Sequence, residues 1–206
     1  MRILFLSERI ISMRKSKISR KTSETAIELD FNIDGTGHST INTGVGFFDH
    51  MLTLMTKHGL FDLEVTCDGD LEVDQHHSVE DIGISLGQAF LNSLGNKEGI
   101  TRYATVTTPM DEALSTVSID ISGRPYFVYH VEGLKDKVGN FDTELVEEFF
   151  QAFVSNAKVT LHINLAYGSN SHHIIESIFK GFGRCLDQAT IKNPRIQGVP
   201  STKGAL

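Results

Sequence analysis

The chain has no tryptophan, four prolines and two cysteines in 206 residues. Cys67 and Cys185 stand in unrelated contexts with no CxxC pair. That excludes a disulfide-stapled secreted scaffold and a cysteine-built zinc site, and it fits two isolated thiols in a reducing cytoplasm. No stretch approaches the ~18 apolar residues of a membrane span. Ile3–Leu6 is too short for the apolar region of a signal peptide and no A-x-A cleavage site follows it. Met13 precedes RKSKISRKTSET, which reads as a natural start, so residues 1–13 are expected to be an N-terminal extension. Positive charge is also scarce: 19 Lys and Arg against 26 Asp and Glu give a net charge of −7. This argues against a nucleic-acid partner and leaves room only for a local basic pocket that takes a small phosphate. Hydrophobic content of 40% and charge of 22% are those of an ordinary globular chain.

Histidine, by contrast, is plentiful, with nine in the chain. Four of them form a repeat. His76-His77-Ser78-Val79-Glu80 returns as His172-His173-Ile174-Ile175-Glu176, and the match runs on: Ile82, Gly87 and Ala89 correspond to Ile178, Gly183 and Cys185. Two tandem copies of one unit therefore make up the body, residues 14–104 and 105–192, followed by a tail over 193–206.

The periodicities agree. Residues 16–34 alternate with period two around Ile27, Leu29, Phe31 and Ile33, a half-buried strand. Gly35-Thr36-Gly37 is a turn, and Ser39–Thr43 reads as the returning strand of a hairpin. Phe48, Met51, Leu52 and Met55 fall at helical spacing within 47–59. Strands are expected over Leu60–Cys67 and Leu71–Val73, and then a helix from the first HHxxE to Leu94. The second copy repeats this order. Strands are expected at Thr105–Thr108, Leu114–Ser122, Tyr126–Val131 and Val159–Leu165. Lys135–Asn140 is a polar loop, Thr143–Asn156 a helix, and a last helix runs from the second HHxxE to near Thr190 with Ser171 as its cap. Each copy thus has about four strands and two helices, an α+β arrangement. The tail has no periodicity and reads as a loop or a mobile arm.

Residues four apart share a helix face, whereas neighbours point about 100° apart. His76 can act with Glu80, and His172 with Glu176, while His77 and His173 point elsewhere. That geometry suggests two metal ions, each shared between the copies. Imidazole and carboxylate without thiolate suit Mn, Fe or Zn. Other residues are ambiguous alone. His50 is a metal ligand or a surface histidine. Glu24 is a base or a strand carboxylate. Arg102 and Arg124 clamp a phosphate or are merely solvated. Lys203 beside Ser201 and Thr202 offers charge and hydroxyls to a phosphate. Asp111-Glu112 is a possible polar element of the site, and His38, His58, His130 and His162 are assigned to structure.

SRKTSET, GVGFFDHML, the first HHxxED, SGRPY, LHINLAYGSNSHHIIE and PSTKG, in that order, resemble the imidazoleglycerol-phosphate dehydratase family of histidine biosynthesis. The resemblance covers about residues 14–206. It implies two pseudo-symmetric halves, each a four-stranded sheet with two helices on one face. It implies two manganese ions per active site, one taking His50, His77, His172 and Glu176, the other His76, Glu80, His173 and a residue of the second half's first helix. Many members have histidine there, in an E-H-F-F run, but this chain has Glu148 in Glu147-Glu148-Phe149-Phe150. It further implies Glu24 in proton transfer and Arg102, Arg124, Ser201 and Lys203 on the substrate phosphate. The metal ligands and Glu24 would surround the substrate as well. The implied assembly is an octahedral shell of about two dozen subunits with active sites at their contacts. The expected reaction is dehydration of imidazole glycerol phosphate to imidazole acetol phosphate, through a metal-bound imidazolate and a diazafulvene-like intermediate. A dinuclear metal-dependent hydrolase and a non-catalytic, metal-stapled assembly protein remain the alternatives.

Overall fold

A computed structural model describes residues 14–206; the extension expected over 1–13 lies outside the described residues. The first half runs β1 (Lys15–Lys21), β2 (Thr25–Asn32), β3 (Ser39–Asn42), α1 (Gly46–Gly59), β4 (Asp62–Gly69) and α2 (His76–Leu94). The second runs β5 (Tyr103–Met110), β6 (Ala113–Asp120), β7 (Tyr126–His130), a small ribbon of β8 (Lys137–Val138) and β9 (Phe141–Asp142), then α3 (Leu145–Ala157), β10 (Thr160–Tyr167) and α4 (Ser171–Thr190). The sheets have the same topology. Their orders are β1-β2-β4-β3 and β5-β6-β10-β7, with the third pairing parallel in each, β3 with β4 and β7 with β10. The expected α+β pair of halves is what the chain forms.

Three expectations are corrected. Residues 16–34 form two strands, not one, because Thr22 Oγ1 accepts the N–H groups of Glu24 and Thr25 at 3.1 and 3.0 Å and turns the chain. Glu24 consequently sits at a hairpin tip. Ser39–Asn42 does not return along β2 but lies parallel to β4. The Asp62 carboxylate accepts the N–H groups of Thr36 and His38, which carries the loop across to that edge. Leu71–Val73 is a turn rather than a strand; its apolar side chains are exposed, so no burial rewards extension.

Each sheet buries one face under helices, and the two helical layers meet. One continuous apolar cluster runs through both halves, from Ile27 and Phe31 to Phe182 and Leu186. Inside it the helices pair across the halves: α1 packs on α4, and α2 on α3. Glycine permits this. A Cβ on Gly87 would lie 2.6 Å from the carbonyl oxygen of Phe153, and one on Gly183 would be nearer still to that of Met55. The repeat equates Gly87 with Gly183, so the same close crossing occurs twice. Phe153 fills the surrounding space, with ring centroids 5.6 Å from Phe90 and 5.0 Å from Phe182.

The tail is a loop, as expected, but it is held down rather than free. Gly99 N–H donates to Gly198 O and Asn193 N–H to Gly99 O, both at 2.8 Å, and Arg102 Nη1 donates to Pro200 O at 2.9 Å. Among the described residues no helix is long and apolar enough to cross a membrane.

Replacing Gly183 or Gly87 with alanine should force these helix pairs apart and cost roughly 1–3 kcal/mol of stability. Denaturant midpoints measure this, and a Gly183→Ala protein as stable as the parent would show that the crossing is loose.

Candidate active site

The cross-packing of α1 on α4 has a chemical consequence. It brings His50, from the first half, against the start of the second half's histidine helix. His50 Nε2 lies 3.7 Å from Glu176 Oε2, and His172 Nε2 lies 3.3 Å from the same oxygen. Donor atoms of the three residues all fall within 4.8 Å of one another. Phe47 packs edge-on against the His172 ring at 5.2 Å and holds it from the other side. Burial pushes the Glu176 carboxyl up, but it is held below its ordinary value overall. Lys180, bonded to Oε1 at 2.5 Å, does this, together with the two histidine charges. Two imidazoles and an ionised carboxylate converging on one point form a donor set suited to a borderline divalent ion, with positions left to fill.

The helix start itself is built locally. Asn170, not Ser171, caps α4: its side-chain oxygen accepts the His172 N–H at 3.0 Å. Ser171 Oγ instead accepts the Lys135 N–H. At the start of α2, Asp74 accepts the His76 N–H at 2.7 Å.

The first half presents its own set. His76 Nε2 is 3.8 Å from Glu80 Oε2, the helical pairing expected from the spacing. His77 points away, as expected, with Nδ1 on Asp70 at 3.0 Å and Nε2 3.8 Å from Glu24. Glu24 lies in an open groove with Lys21, Thr22, Asp70 and Glu72. His173 likewise points away from His172, with Nδ1 on Glu112 at 2.7 Å and Nε2 4.0 Å from Asp111. The hydrogen bond it donates to Asp70 raises the His77 imidazole, and the one donated to Glu112 raises His173. Glu112 itself is lowered to about 2, by His173 first and then by the Asn170 N–H.

Two groupings expected from the resemblance are not assembled within one chain. His77 is not part of the His50–His172–Glu176 cluster, and His173 does not join His76 and Glu80. The reason is packing: α2 lies on α3 and α4 on α1, which keeps the two histidine motifs apart. Glu148 makes no side-chain ion pair or hydrogen bond among the described residues. Its place is nevertheless informative. The buried stripe Phe48, Met51, Leu52 and Met55 of α1 matches Val146, Phe149, Phe150 and Phe153 of α3, which sets Glu148 where α1 has His50.

The residues expected to bind phosphate lie away from the histidines, around the end of α4 and the tail. Arg102, strained at φ +82°, donates its N–H to Ala189 O near the end of α4 and its side chain to Asp120 and Pro200. Ser201 follows Pro200, and Ser201 Oγ accepts the Lys203 N–H. Gly123, beside Arg124, meets the terminal Leu206. From His172 to Ala189 is roughly 17 residues, so about 25 Å of helix separates this cluster from the histidines.

The imidazoleglycerol-phosphate dehydratase family model matches residues 43–186. The chain belongs to that family. A dehydratase of this name from Oceanobacillus iheyensis is 69% identical over 194 residues, covering 94% of this chain and all of its own length. One from Acetivibrio thermocellus is 61% identical, with 94% and 99% covered. Among solved structures, the imidazoleglycerol-phosphate dehydratase of Staphylococcus aureus superposes with a TM-score of 0.80 at 46% identity, covering 87% of this chain and 99% of its own. That of Pyrococcus furiosus gives 0.79 at 38%, covering 92% and 100%. The two-halves architecture is thus that of imidazoleglycerol-phosphate dehydratases.

Asp70, Asp81 and Lys180 escaped the reading of the sequence. Lys180 stands four residues after Glu176, a signal that was available. Asp81 follows Glu80 in HHxxED, whereas the second motif has Ser177. Its buried carboxylate takes Arg20 at 2.8 Å and Thr25 at 2.5 Å, tying the Glu24 hairpin to α2. Asp81→Ala should lower stability by about 1–3 kcal/mol by orphaning both donors. Urea denaturation reads this, and an unchanged midpoint would mean the hairpin is held by other contacts.

Proposed function

We propose that this chain is a hydro-lyase that dehydrates D-erythro-imidazole glycerol phosphate to imidazole acetol phosphate in histidine biosynthesis. The observation that carries the reading is the His50–His172–Glu176 cluster, formed across the halves in a chain of this family. We propose manganese for that cluster, completed by His77, and a second manganese on His76, Glu80, His173 and Glu148. When bound, such ions supply Lewis-acid polarisation and orient the substrate ring.

The chain's own residues supply the rest. The proton to be removed lies on a carbon with no adjacent carbonyl, so it is weakly acidic and the imidazole ring is the available electron sink. Glu24 is the base. It projects from a hairpin tip clamped by Asp81, exposed to the groove and 3.8 Å from His77 Nε2. Arg102, Arg124, Ser201 and Lys203 hold the phosphate, Arg102 already fixed by Asp120. The free thiols Cys67 and Cys185 fit a cytoplasmic setting.

One substrate of this size cannot span the ~25 Å between the histidines and the Arg102 cluster of a single chain. The reading therefore needs histidines of one subunit beside the tail of another. We propose a closed homo-oligomer, an octahedral shell of about two dozen subunits, with active sites at its contacts.

Chelation should abolish water loss from imidazole glycerol phosphate, and added manganese should restore it. A restored, assembled protein without that activity would favour a metal-stapled assembly role, and turnover only of hydrolysable esters would favour a hydrolase. Glu24→Gln should lower turnover by about 10²–10⁴-fold with metal content intact. Glu24→Gln and Lys203→Ala chains, each inactive alone, should regain partial activity when unfolded and reassembled together. No recovery in mixed particles would place both residues of a site on one chain.

A further inference from the structure

The second histidine of each motif carries a carboxylate on the same ring atom. His77 Nδ1 lies 3.0 and 3.2 Å from the two oxygens of Asp70, and His173 Nδ1 lies 2.7 Å from Glu112 Oε2. An ionised carboxylate only accepts hydrogen bonds, so Nδ1 is the donor in both rings, and in the neutral ring, the form that binds a metal, Nε2 is left with the lone pair. The first histidines, His76 and His172, have no such partner among the described residues; their Nε2 atoms approach Glu80 and Glu176 of their own helices.

The repeat does not explain this agreement. Asp70 follows the end of β4, whereas Glu112 lies in the turn between β5 and β6. Two non-equivalent segments deliver the same group to the same atom of equivalent histidines. Glu112 is anchored for the purpose: its Oε1 accepts the N–H groups of Asn170 at 2.7 Å and Ser169 at 3.3 Å, fixing it to the loop that starts α4. The Asp70 carboxylate bonds only to His77 among the described residues, and its backbone N–H donates to Glu24 O at 3.1 Å, linking it to the Glu24 hairpin.

We infer that Asp70 and Glu112 are positioning residues for the metal centres. Each fixes the tautomer and the ring plane of one histidine and so presents Nε2 as a ready ligand. The inference rests on the manganese reading above. Outer carboxylates of this kind orient the ligand and increase its basicity.

Calorimetric titration of manganese into the stripped, assembled protein tests it, beside melting of the stripped form. Asp70→Ala should bind one manganese about 10–100-fold more weakly while the stripped protein melts like the parent. Glu112→Ala should weaken the other. Asp70→Asn, which retains an oxygen to accept the Nδ1 proton, should recover most of the affinity. Asp70→Ala with parental affinity overturns the inference. If Asp70→Ala melts early, Asp70→Asn decides: recovered affinity supports positioning, and a loss equal to that of Asp70→Ala overturns it. His77→Ala separates this from the reading beneath it. If that variant also binds manganese like the parent, the histidine is no ligand and the metal assignment itself fails.

Discussion

Everything at the proposed metal centre depends on how closely two helices can cross. His50 belongs to the first half and Glu176 to the second, and they share a site because α1 rests on α4 with backbone nearly touching backbone. Gly183 and Gly59 make that possible, since a Cβ on either would meet the facing carbonyl of the other helix. The apolar cluster around them supplies the driving force, roughly 25 cal/mol for each Å² of apolar surface removed from water. The glycines convert that non-directional force into a fixed distance. A ligand cluster needs such a distance, because donor atoms must converge within a few tenths of an ångström of their places.

Much of this was legible in the residues. The duplicated HHxxE motif announces two like halves and opens α2 and α4, and period-3.6 stripes locate α1 and α3; the helix opening at His76 ends at Leu94 as expected. Helical geometry alone separates His76 from His77 and His172 from His173, and the contacts bear that out. What the residues do not reveal is long-range. Ser39–Asn42 looks like the return of a hairpin because local patterning records burial, not which neighbour does the burying. The parallel seat of β3 beside β4 depends on Asp62 gathering distant N–H groups. Asp70 was invisible for the same reason: a carboxylate beside a turn has no period, and its role exists only once α2 docks against the end of β4. Glu24 lay in the residues as an ambiguous carboxylate, and its seat at a hairpin tip depends on the Thr22 turn, which the alternation of residues 16–34 does not reveal.

The chain also divides its chemistry in space. Histidines and acids gather where α2 and α4 begin, while Arg102 and the tail lie where α4 ends. Helix polarity favours carboxylates at the N-terminal ends and cations at the C-terminal ends, but it does not favour a phosphate at the latter. The positive N-terminal ends receive imidazoles and carboxylates, and the proposed phosphate set lies near the C-terminal end of α4, where Arg102 must supply the attraction. A monomer that placed both sets together would need to abandon the crossed helices that build the first. In the proposed assembly, joining the two sets between subunits would keep the rigid crossing and give a small phosphorylated substrate both of its anchors. On this reading assembly is a condition of the site and not an addition to it.

The halves are alike in fold and unlike in detail, and the differences fall where a substrate would require them. An asymmetric substrate cannot use two identical half-sites. In the first half Asp81 locks the β1–β2 hairpin to α2 through Arg20 and Thr25, which frees Glu24 to face the groove. In the second half the corresponding position is Ser177, which bonds Ser115, and the acid of the β5–β6 turn is bent inward onto His173. Under the proposed function, one hairpin would offer its carboxylate to the reacting carbon, and the other would spend its carboxylate on holding a ligand. The exchange goes beyond one residue: Asp81 gives way to Ser177, and its partners Arg20 and Thr25 to Thr108 and Ala113, so the first turn is held by a buried clamp and the second by Glu112 itself.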